Sequence, residues 1–294
     1  MHNDLKTIYS KFFNLELNPF GETPDPDFYY ASAQHNQALR ELVNGIKQGK
    51  GFNLLTGEVG TGKTLLGRLL LGSMKNEANT ALILYPKFTE IELLQAILDE
   101  FEVPMLTQSG HLVKLNTAKS YVDHLNRFLL MSVETGRRSI LIIDEAQLLS
   151  KEALEMIRLL TNLETKTQKL LQIALIAQPE INATLEQVEL RQLKQRIGVH
   201  AKLKGLDAIE TEKYIRSRIE QAGNGNFIRF ETAAVKLIHQ LSNGIPRRIN
   251  QLCEQVLATG EAKRIRLVTV GFAREALGCK NTGKFSIFTK DKTI

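Results

Sequence analysis

Apolar residues in this 294-residue chain follow two patterns, one typical of buried strands and one typical of amphipathic helices. Short apolar runs separated by helical segments predict a mostly parallel sheet covered by helices on both faces. The predicted strands are 51–57, 80–85, 139–144 and 171–177. The helices predicted among them are 64–74, 89–101, 115–134 and 151–163. The first two thirds of the chain are therefore predicted to be α/β.

The pattern changes near residue 206, where helical segments begin to follow one another without a predicted strand between them. These segments are 208–222, 232–242, 246–260 and 269–278. They predict a small all-helical second domain. The predicted domains are an N-terminal strap and first helix (1–50), an α/β core (51–205), a helical lid (206–280) and a basic, flexible tail (281–294).

Composition places the chain among globular proteins, since 43% of its residues are hydrophobic and 24% are charged. No apolar run approaches the roughly 18 residues that a membrane span needs, and the N-terminus lacks the apolar centre of a signal peptide. We therefore expect a cytoplasmic protein without a transmembrane segment. Cys253 and Cys279 are too few for a disulfide framework, and the six histidines show no metal-ligand spacing with them. No structural metal is predicted.

The formal net charge of +6 lies in the last third of the chain, where residues 206–294 carry 15 basic and 9 acidic side chains. A basic surface of this kind can bind nucleic acid. No aromatic residues interleave with the basic ones in the sequence, as a stacking surface for bases requires. A solvated helical surface is therefore the favoured interpretation, and nucleic acid is a less favoured partner.

Residues 57–64 read GEVGTGKT and match the phosphate-binding pattern G-x-x-x-x-G-K-[ST]. The stretch follows a predicted strand and opens a predicted helix, so loop amides and the helix N-terminus can point at phosphates. Lys63 would reach the β- and γ-phosphates, and the Thr64 hydroxyl would hold Mg²⁺. The predicted nucleotide-binding residues are Gly57, Glu58, Val59, Gly60, Thr61, Gly62, Lys63, Thr64 and Leu65.

A second motif, SILIIDEAQ, ends a predicted strand with the acidic residues Asp144 and Glu145. Ligands of parallel sheets bind at the carboxyl ends of the strands, where these two carboxylates are expected. Asp144 would hold the metal through water, and Glu145 could orient and polarise the attacking water. Together with the loop at 57–64, this pair predicts that the chain binds ATP with Mg²⁺ and hydrolyses it.

Two pairs of arginines lie at informative positions. Arg191 and Arg196 follow the fourth predicted strand, and Arg247 and Arg248 open a helix of the second domain. An arginine that reaches a nucleotide from a neighbouring subunit neutralises charge in the transition state. Arg196 is our candidate for that role.

The motifs GEVGTGKT, LIIDEAQ, QRIG and GIPRR, in this order, resemble those of an AAA+ ATPase. The resemblance implies a P-loop NTPase fold with a helical lid. It also implies that Gln178, after the fourth strand, occupies the sensor-1 position, although Asn, Ser or Thr is more usual there. Arg196 would be the arginine finger and Arg247 the sensor-2 arginine. The choices of Arg196 over Arg191 and of Arg247 over Arg248 rest on the family's motif order.

The stretches FFNLELNPFGETPDPDFYYASAQHNQAL and LLTNLETKTQKLLQIALIAQPEI are similar to those of the ExeA/GspA family of bacterial ATPases, and within it to the MshM-like branch. The prolines of the first stretch would stiffen a strap over the nucleotide base, with Tyr29 or Tyr30 stacking on adenine. A capping loop over the sheet edge is the alternative.

This resemblance implies a homo-oligomeric Mg²⁺-ATPase that acts in biogenesis of type IV, MSHA-like pili or in assembly of the type II secretion apparatus. A membrane-embedded partner would recruit it to the inner face of the bacterial inner membrane, since the sequence contains no anchor. Two alternatives remain. One is a DNA-associated ATPase that regulates transposition or a related DNA transaction. The other is a scaffold that binds ATP but scarcely hydrolyses it, against which the presence of Glu145 argues.

Overall fold

The chain divides into two compact units in a computed structural model that describes residues 10–21, 28–105, 114–223 and 227–279. The first unit, the sheet domain, is Ala31–Gly205. The second, the helical domain, joins the residues up to Tyr30 with those from Leu206 onward. The predicted N-terminal region 1–50 is thus shared between the two units. The predicted tail, 281–294, lies outside the described residues.

The helices and strands follow the predicted alternation closely. In chain order the helices are α1 (Ser10–Phe13), α2 (Ala33–Lys47), α3 (Lys63–Met74), α4 (Glu90–Glu100), α5 (Ala118–Glu134), α6 (Lys151–Leu160), α7 (Ile181–Leu185), α8 (Arg191–Gln195), α9 (Ala208–Gln221), α10 (Thr232–Ser242), α11 (Pro246–Ala262) and α12 (Val270–Ala276). The strands are β1 (Phe52–Gly57), β2 (Ala78–Ile83), β3 (Arg138–Ile143), β4 (Leu171–Ala177), β5 (Ile197–Leu203), β6 (Arg229–Phe230) and β7 (Leu267–Val268).

The sheet domain is built on a five-stranded parallel sheet with the strand order β2-β3-β4-β1-β5. Because all these pairings are parallel, the carboxyl ends of the strands share one edge of the sheet. The register sets Thr56 opposite Ala177 and Ile143 opposite Leu175. The loops that follow β1, β3 and β4 therefore begin next to one another, which is the predicted position of the site.

Both faces of the sheet are covered, as the apolar runs predict. Alternate residues of β3 enter different cores: Leu141 and Ile143 pack into one cluster with α4, α5 and α6, whereas Ile140 and Ile142 pack into another with α2 and α3. These β3 side chains are fully buried. Burial of an Ile or Leu side chain contributes about 1.5–3 kcal/mol, so this double-sided packing holds the carboxyl edge of β3 in place.

The sequence pattern missed β5. Within the described part of the chain this strand pairs only with β1, at the edge of the sheet, and its burial alternates instead of being continuous. Its polar residues include His200 and Lys202. The fully apolar run that identifies a central strand is therefore absent here.

The helices of the helical domain pack around aromatic side chains that precede the sheet domain in the sequence. Phe13, Phe20 and Phe28 share a buried cluster with Tyr214 of α9 and Ile249 of α11. A short parallel pair, β6 with β7, joins this domain, although the sequence pattern indicated no strand there. Among the described residues, no helix has both the length and the apolar character that crossing a membrane would require.

The two tyrosines that we predicted to stack on adenine belong to the helical domain. Tyr30 packs edge-on against Tyr214, with ring centroids 5.8 Å apart. Next to them, the Arg218 guanidinium lies 4.5 Å from the centroid of the Phe28 ring. This part of the predicted strap is thus tied to α9. Stacking of Tyr29 or Tyr30 on a base stays a prediction.

Candidate nucleotide-binding site

The glycine-rich loop leaves β1 at Gly57 and enters α3 at Lys63. Gly62, the residue before α3, has a φ of +94°, in the left-handed region that favours glycine. A Cβ atom at Gly62 would also lie 3.1 Å from Nε2 of His35. The sequence therefore forms a tight turn that presents the free amides of the α3 N-terminus, which is the arrangement that binds phosphate.

Lys63 is buried in this loop, and its ammonium Nζ donates to the carbonyl oxygen of Glu58 at 3.0 Å. The Thr61 hydroxyl donates to the same carbonyl at 2.8 Å. Burial lowers the pKa of Lys63, and the nearby carboxylates of Glu145 and Asp144 oppose that effect. The loop thus places a cation next to the acidic end of β3.

Asp144 and Thr64 are in direct contact. The Thr64 hydroxyl donates to Asp144 Oδ2 at 2.6 Å, and the Glu145 amide donates to Asp144 Oδ1 at 2.9 Å. Burial raises the pKa of Asp144, and these two hydrogen bonds oppose the shift. A hydroxyl and a carboxylate that converge in this way are oxygen donors of the kind that Mg²⁺ prefers. The donor set fits the predicted metal, and the assignment of Thr64 and Asp144 to it stays a prediction.

Glu145 is held by two glutamine side chains. Gln147 Nε2 donates to Glu145 Oε2 at 2.5 Å, and Gln178 Nε2 donates to the same oxygen at 3.2 Å. The backbone amide of Gln178 in turn donates to Gln147 Oε1 at 3.0 Å. The sensor-1 candidate therefore contacts the proposed catalytic carboxylate. Sequence reasoning missed Gln147, although it lies within the motif DEAQ.

His35 on α2 is a second residue that sequence reasoning missed. Its ring Nε2 lies 2.8 Å from the carbonyl oxygen of Thr61 in the glycine-rich loop, and its Nδ1 lies 2.7 Å from the Ser32 hydroxyl. Because a carbonyl only accepts hydrogen bonds, the contact with Thr61 requires a proton on Nε2. His35 thus fixes the loop from outside it. No signal in the sequence connects His35 with a loop 26 residues further along the chain.

Arg196 is not brought to the loop of its own chain. It directly precedes β5, where Ile197 pairs with Phe52 at the amino end of β1, whereas the glycine-rich loop follows the carboxyl end. Its Nη1 donates to the Thr161 hydroxyl at 3.0 Å. The length of β5 separates the two positions by roughly 20 Å.

The other candidate arginines lie elsewhere. Arg191 is exposed and opens α8. Arg247 and Arg248 lie exposed in the first turn of α11, within the helical domain. Their roles stay predictions.

Similarity to known proteins defines the class of this protein. Residues 46–185 match the AAA domain family. ORC2 of Aeropyrum pernix, solved as ADPNP–ADP complexes, aligns with a TM-score of 0.64 and 17% identity over 90% of this chain and 72% of its own. The RuvB Holliday junction branch migration motor of Thermotoga maritima aligns with a TM-score of 0.52 and 17% identity over 84% of this chain and 69% of its own. These distant similarities establish the fold alone. The fold and the family match define an AAA-type P-loop ATPase, which confirms the predicted class.

The more specific similarity is to general secretion pathway protein A of Aeromonas hydrophila, at 41% identity over 280 residues. The alignment covers 94% of this chain and 50% of that protein, so the chain spans about half the length of this curated relative. This similarity agrees with the predicted resemblance to the ExeA/GspA family. A closer relation to the MshM-like branch stays a prediction.

Proposed function

We propose that this chain binds ATP with Mg²⁺ at the glycine-rich loop and hydrolyses it. The observation that carries the proposal is the contact between Thr64 and Asp144, 2.6 Å apart, with Lys63 and Glu145 as their immediate neighbours in the sequence. A phosphate-binding loop and an acidic strand end thus meet at one edge of the sheet, where a nucleotide and its metal need both.

Each side chain has a distinct role in the proposed reaction. Lys63 and the loop amides bind the phosphates, which requires that Lys63 exchange its bond to the Glu58 carbonyl for phosphate oxygens. Thr64 and Asp144 would hold the Mg²⁺ ion, which supplies charge neutralisation on the phosphate oxygens. Glu145 orients the water that attacks the γ-phosphorus as ADP leaves. We further propose that Gln178 and Arg247 take part in sensing the nucleotide, as in the predicted AAA+ roles.

Hydrolysis is proposed to require a homo-oligomer. Arg196 lies at the amino edge of the sheet, opposite the loop of its own chain, so it would act on a nucleotide held by a neighbouring subunit. In such an oligomer, Arg196 of a neighbouring subunit would supply the cation that a chain's own Arg196 does not bring to its nucleotide site.

For the cellular role, we propose assembly of a bacterial envelope apparatus, either type II secretion or a type IV, MSHA-like pilus. Support comes from the 41% identity to general secretion pathway protein A. The proposed location is the inner face of the inner membrane, reached through a membrane-embedded partner. Deleting the gene should abolish secretion or piliation, and the wild-type chain should restore it where Lys63→Ala does not. Restoration by Lys63→Ala would contradict a role for nucleotide binding.

A DNA-associated ATPase is the second candidate, because aromatic and basic side chains that are distant in the sequence lie against one another in the fold. The guanidinium of Arg266 lies 5.0 Å from the centroid of the Phe12 ring and 5.2 Å from that of Phe227. Arg264 lies 5.4 Å from the Phe12 centroid. Arginines and rings of this kind can bind single strands, and such binding weakens steeply with salt.

The first experiment measures steady-state ATP hydrolysis across a range of protein concentrations, with and without DNA. Lys63→Ala should lose ATP binding. Glu145→Gln should still bind ATP, but its turnover should fall by about 100-fold or more. Lys75→Ala, which removes an exposed lysine just after the same helix, is the matched control and should behave as wild type.

Each outcome of this experiment has a defined meaning. A wild-type chain that binds no ATP, or a Lys63→Ala variant that binds it normally, would overturn the proposed site. Turnover by Glu145→Gln at the wild-type rate would remove Glu145 from the mechanism. Stimulation by DNA that disappears at high salt would put the DNA-associated function first.

A further inference from the structure

Gln147 connects the acidic end of β3 with the end of β4. It lies in a short 3-10 turn, Ala146–Leu148, and uses both atoms of its amide: Nε2 donates to Glu145 Oε2, and Oε1 accepts from the Gln178 backbone amide. The orientation of this amide is determined, because a carboxylate only accepts and a backbone N–H only donates. Only a side chain with a donor and an acceptor at its end can make both bonds.

The two amides act on one oxygen of the carboxylate. Gln147 and Gln178 both donate to Glu145 Oε2, whereas no donor among the described residues reaches Oε1. Glu145 itself is strained, with a φ of +51°, which non-glycine residues adopt only where the surroundings impose it. One carboxylate oxygen is therefore anchored, and the other remains available to accept a hydrogen bond.

We propose that Gln147 is a positioning residue for hydrolysis. It fixes the carboxylate of Glu145 so that the free oxygen, Oε1, faces the attacking water, and Gln178 acts through the same carboxylate. This inference rests on the proposed function, because it assigns Gln147 a role only in the step that Glu145 performs. A small displacement of a positioned catalytic group lowers its rate contribution strongly.

The alternative is a purely structural role, in which Gln147 links the ends of β3 and β4. Two substitutions separate the roles. Gln147→Glu keeps an acceptor for the Gln178 amide but loses the donor to Glu145 and sets a second carboxylate against it. Gln147→Met has a similar length and loses both bonds. If Gln147 is only a structural link, Gln147→Glu should be tolerated and Gln147→Met should not. If Gln147 positions Glu145, Gln147→Glu should lower the rate of hydrolysis at least as far as Gln147→Met.

The experiment measures kcat, the Kd for ATP and the thermal midpoint for both variants. Leu148→Ala, at the next and exposed residue of the same turn, is the matched control and should hydrolyse ATP as wild type does. We expect kcat to fall about 10- to 100-fold in Gln147→Met and at least as far in Gln147→Glu, while the Kd for ATP changes by no more than about twofold.

Three results would overturn the inference while leaving the proposed function intact. The first is a wild-type kcat in both variants. The second is a wild-type kcat in Gln147→Glu with a loss confined to Gln147→Met. The third is a loss of ATP binding and thermal stability that accounts for the whole fall in rate. A wild-type chain that binds ATP but does not hydrolyse it would overturn both the hydrolytic function and this inference, whereas Lys63→Ala tests the nucleotide site independently.

Discussion

The Thr64 hydroxyl donates to Oδ2 of Asp144 at 2.6 Å, and this bond joins the first turn of α3 to the residue that follows β3. The two residues are 80 positions apart in the sequence. Their contact connects the glycine-rich loop with the acidic strand end, and it fits the hydroxyl and carboxylate donors of the proposed magnesium site.

Thr64→Val should remove this contact while keeping the shape of the side chain. We expect Mg²⁺-dependent ATP hydrolysis to fall at least about tenfold, because the proposed metal site would lose a ligand. Thr64→Ser keeps the hydroxyl and should retain most of the activity. Titration of turnover with Mg²⁺ and its removal with a chelator measure the effect. Equal Mg²⁺ dependence in Thr64→Val and wild type would rule out Thr64 as a ligand.

Asp144→Asn should stabilise the nucleotide-free protein at neutral pH. Burial raises the pKa of Asp144 in the folded state, so the folded protein binds more protons than the unfolded chain between the ordinary pKa, near 4, and the raised one. Within that window the contribution of this group to the free energy of unfolding falls as pH rises. The difference in thermal midpoint between Asp144→Asn and wild type should therefore grow with pH and then level off. A difference that shrinks as pH rises would contradict the argument.

His35→Ala should loosen the glycine-rich loop. It leaves the Thr61 carbonyl without its 2.8 Å hydrogen bond and opens space beside Gly62. We expect a loss of about 1–3 kcal/mol in the free energy of unfolding and a several-fold weaker affinity for ATP. Gln37→Ala, on the exposed face of α2, is the control. The prediction fails if both variants bind ATP with wild-type affinity.

Specific ATPase activity should rise with protein concentration if Arg196 acts on a neighbouring subunit. Arg196→Ala should bind ATP normally and hydrolyse it at least about tenfold more slowly, since arginine fingers contribute about 10³–10⁵ in rate. Arg191→Ala tests the alternative arginine. Thr161→Val removes the 3.0 Å bond from Arg196, together with the bond that the Thr161 hydroxyl donates to the Arg158 carbonyl, and controls for local packing. A concentration-independent rate in wild type would contradict action between subunits.

Gly244→Ala should destabilise the helical domain. Gly244 has a φ of +68°, and a Cβ atom there would lie 1.9 Å from the carbonyl oxygen of Leu206. Because backbone atoms must move, we expect a loss above about 3 kcal/mol in the free energy of unfolding. Gly278→Ala is the matched control, with a φ of +66° and open space around it, and should cost only about 1–2 kcal/mol. Equal thermal midpoints for the two variants would show that the contact with Leu206 is relieved elsewhere.

The central strands, the glycine-rich motif and the acidic motif were predictable from the sequence because their signals are local. The buried strands β1, β3 and β4 are runs that are mostly apolar in sequence, and the chemistry of each motif lies within a few consecutive residues. The parallel arrangement follows from the helices between the strands, and it places the motifs at one edge. The edge strand β5 has no such run, because one side of it is solvated and carries polar residues.

Only the tertiary structure decided which side chains support the site. The bond from Gln178 to Glu145 joins residues 33 positions apart, and that of His35 with Thr61 spans 26. Glutamine and histidine at these positions carry no local pattern that distinguishes a catalytic support from a surface residue. The sequence by itself thus determined the chemistry that each motif can supply. The packing of helices on the parallel sheet decided which distant side chains hold that chemistry in place, because contacts between remote segments depend on the fold and not on spacing along the chain.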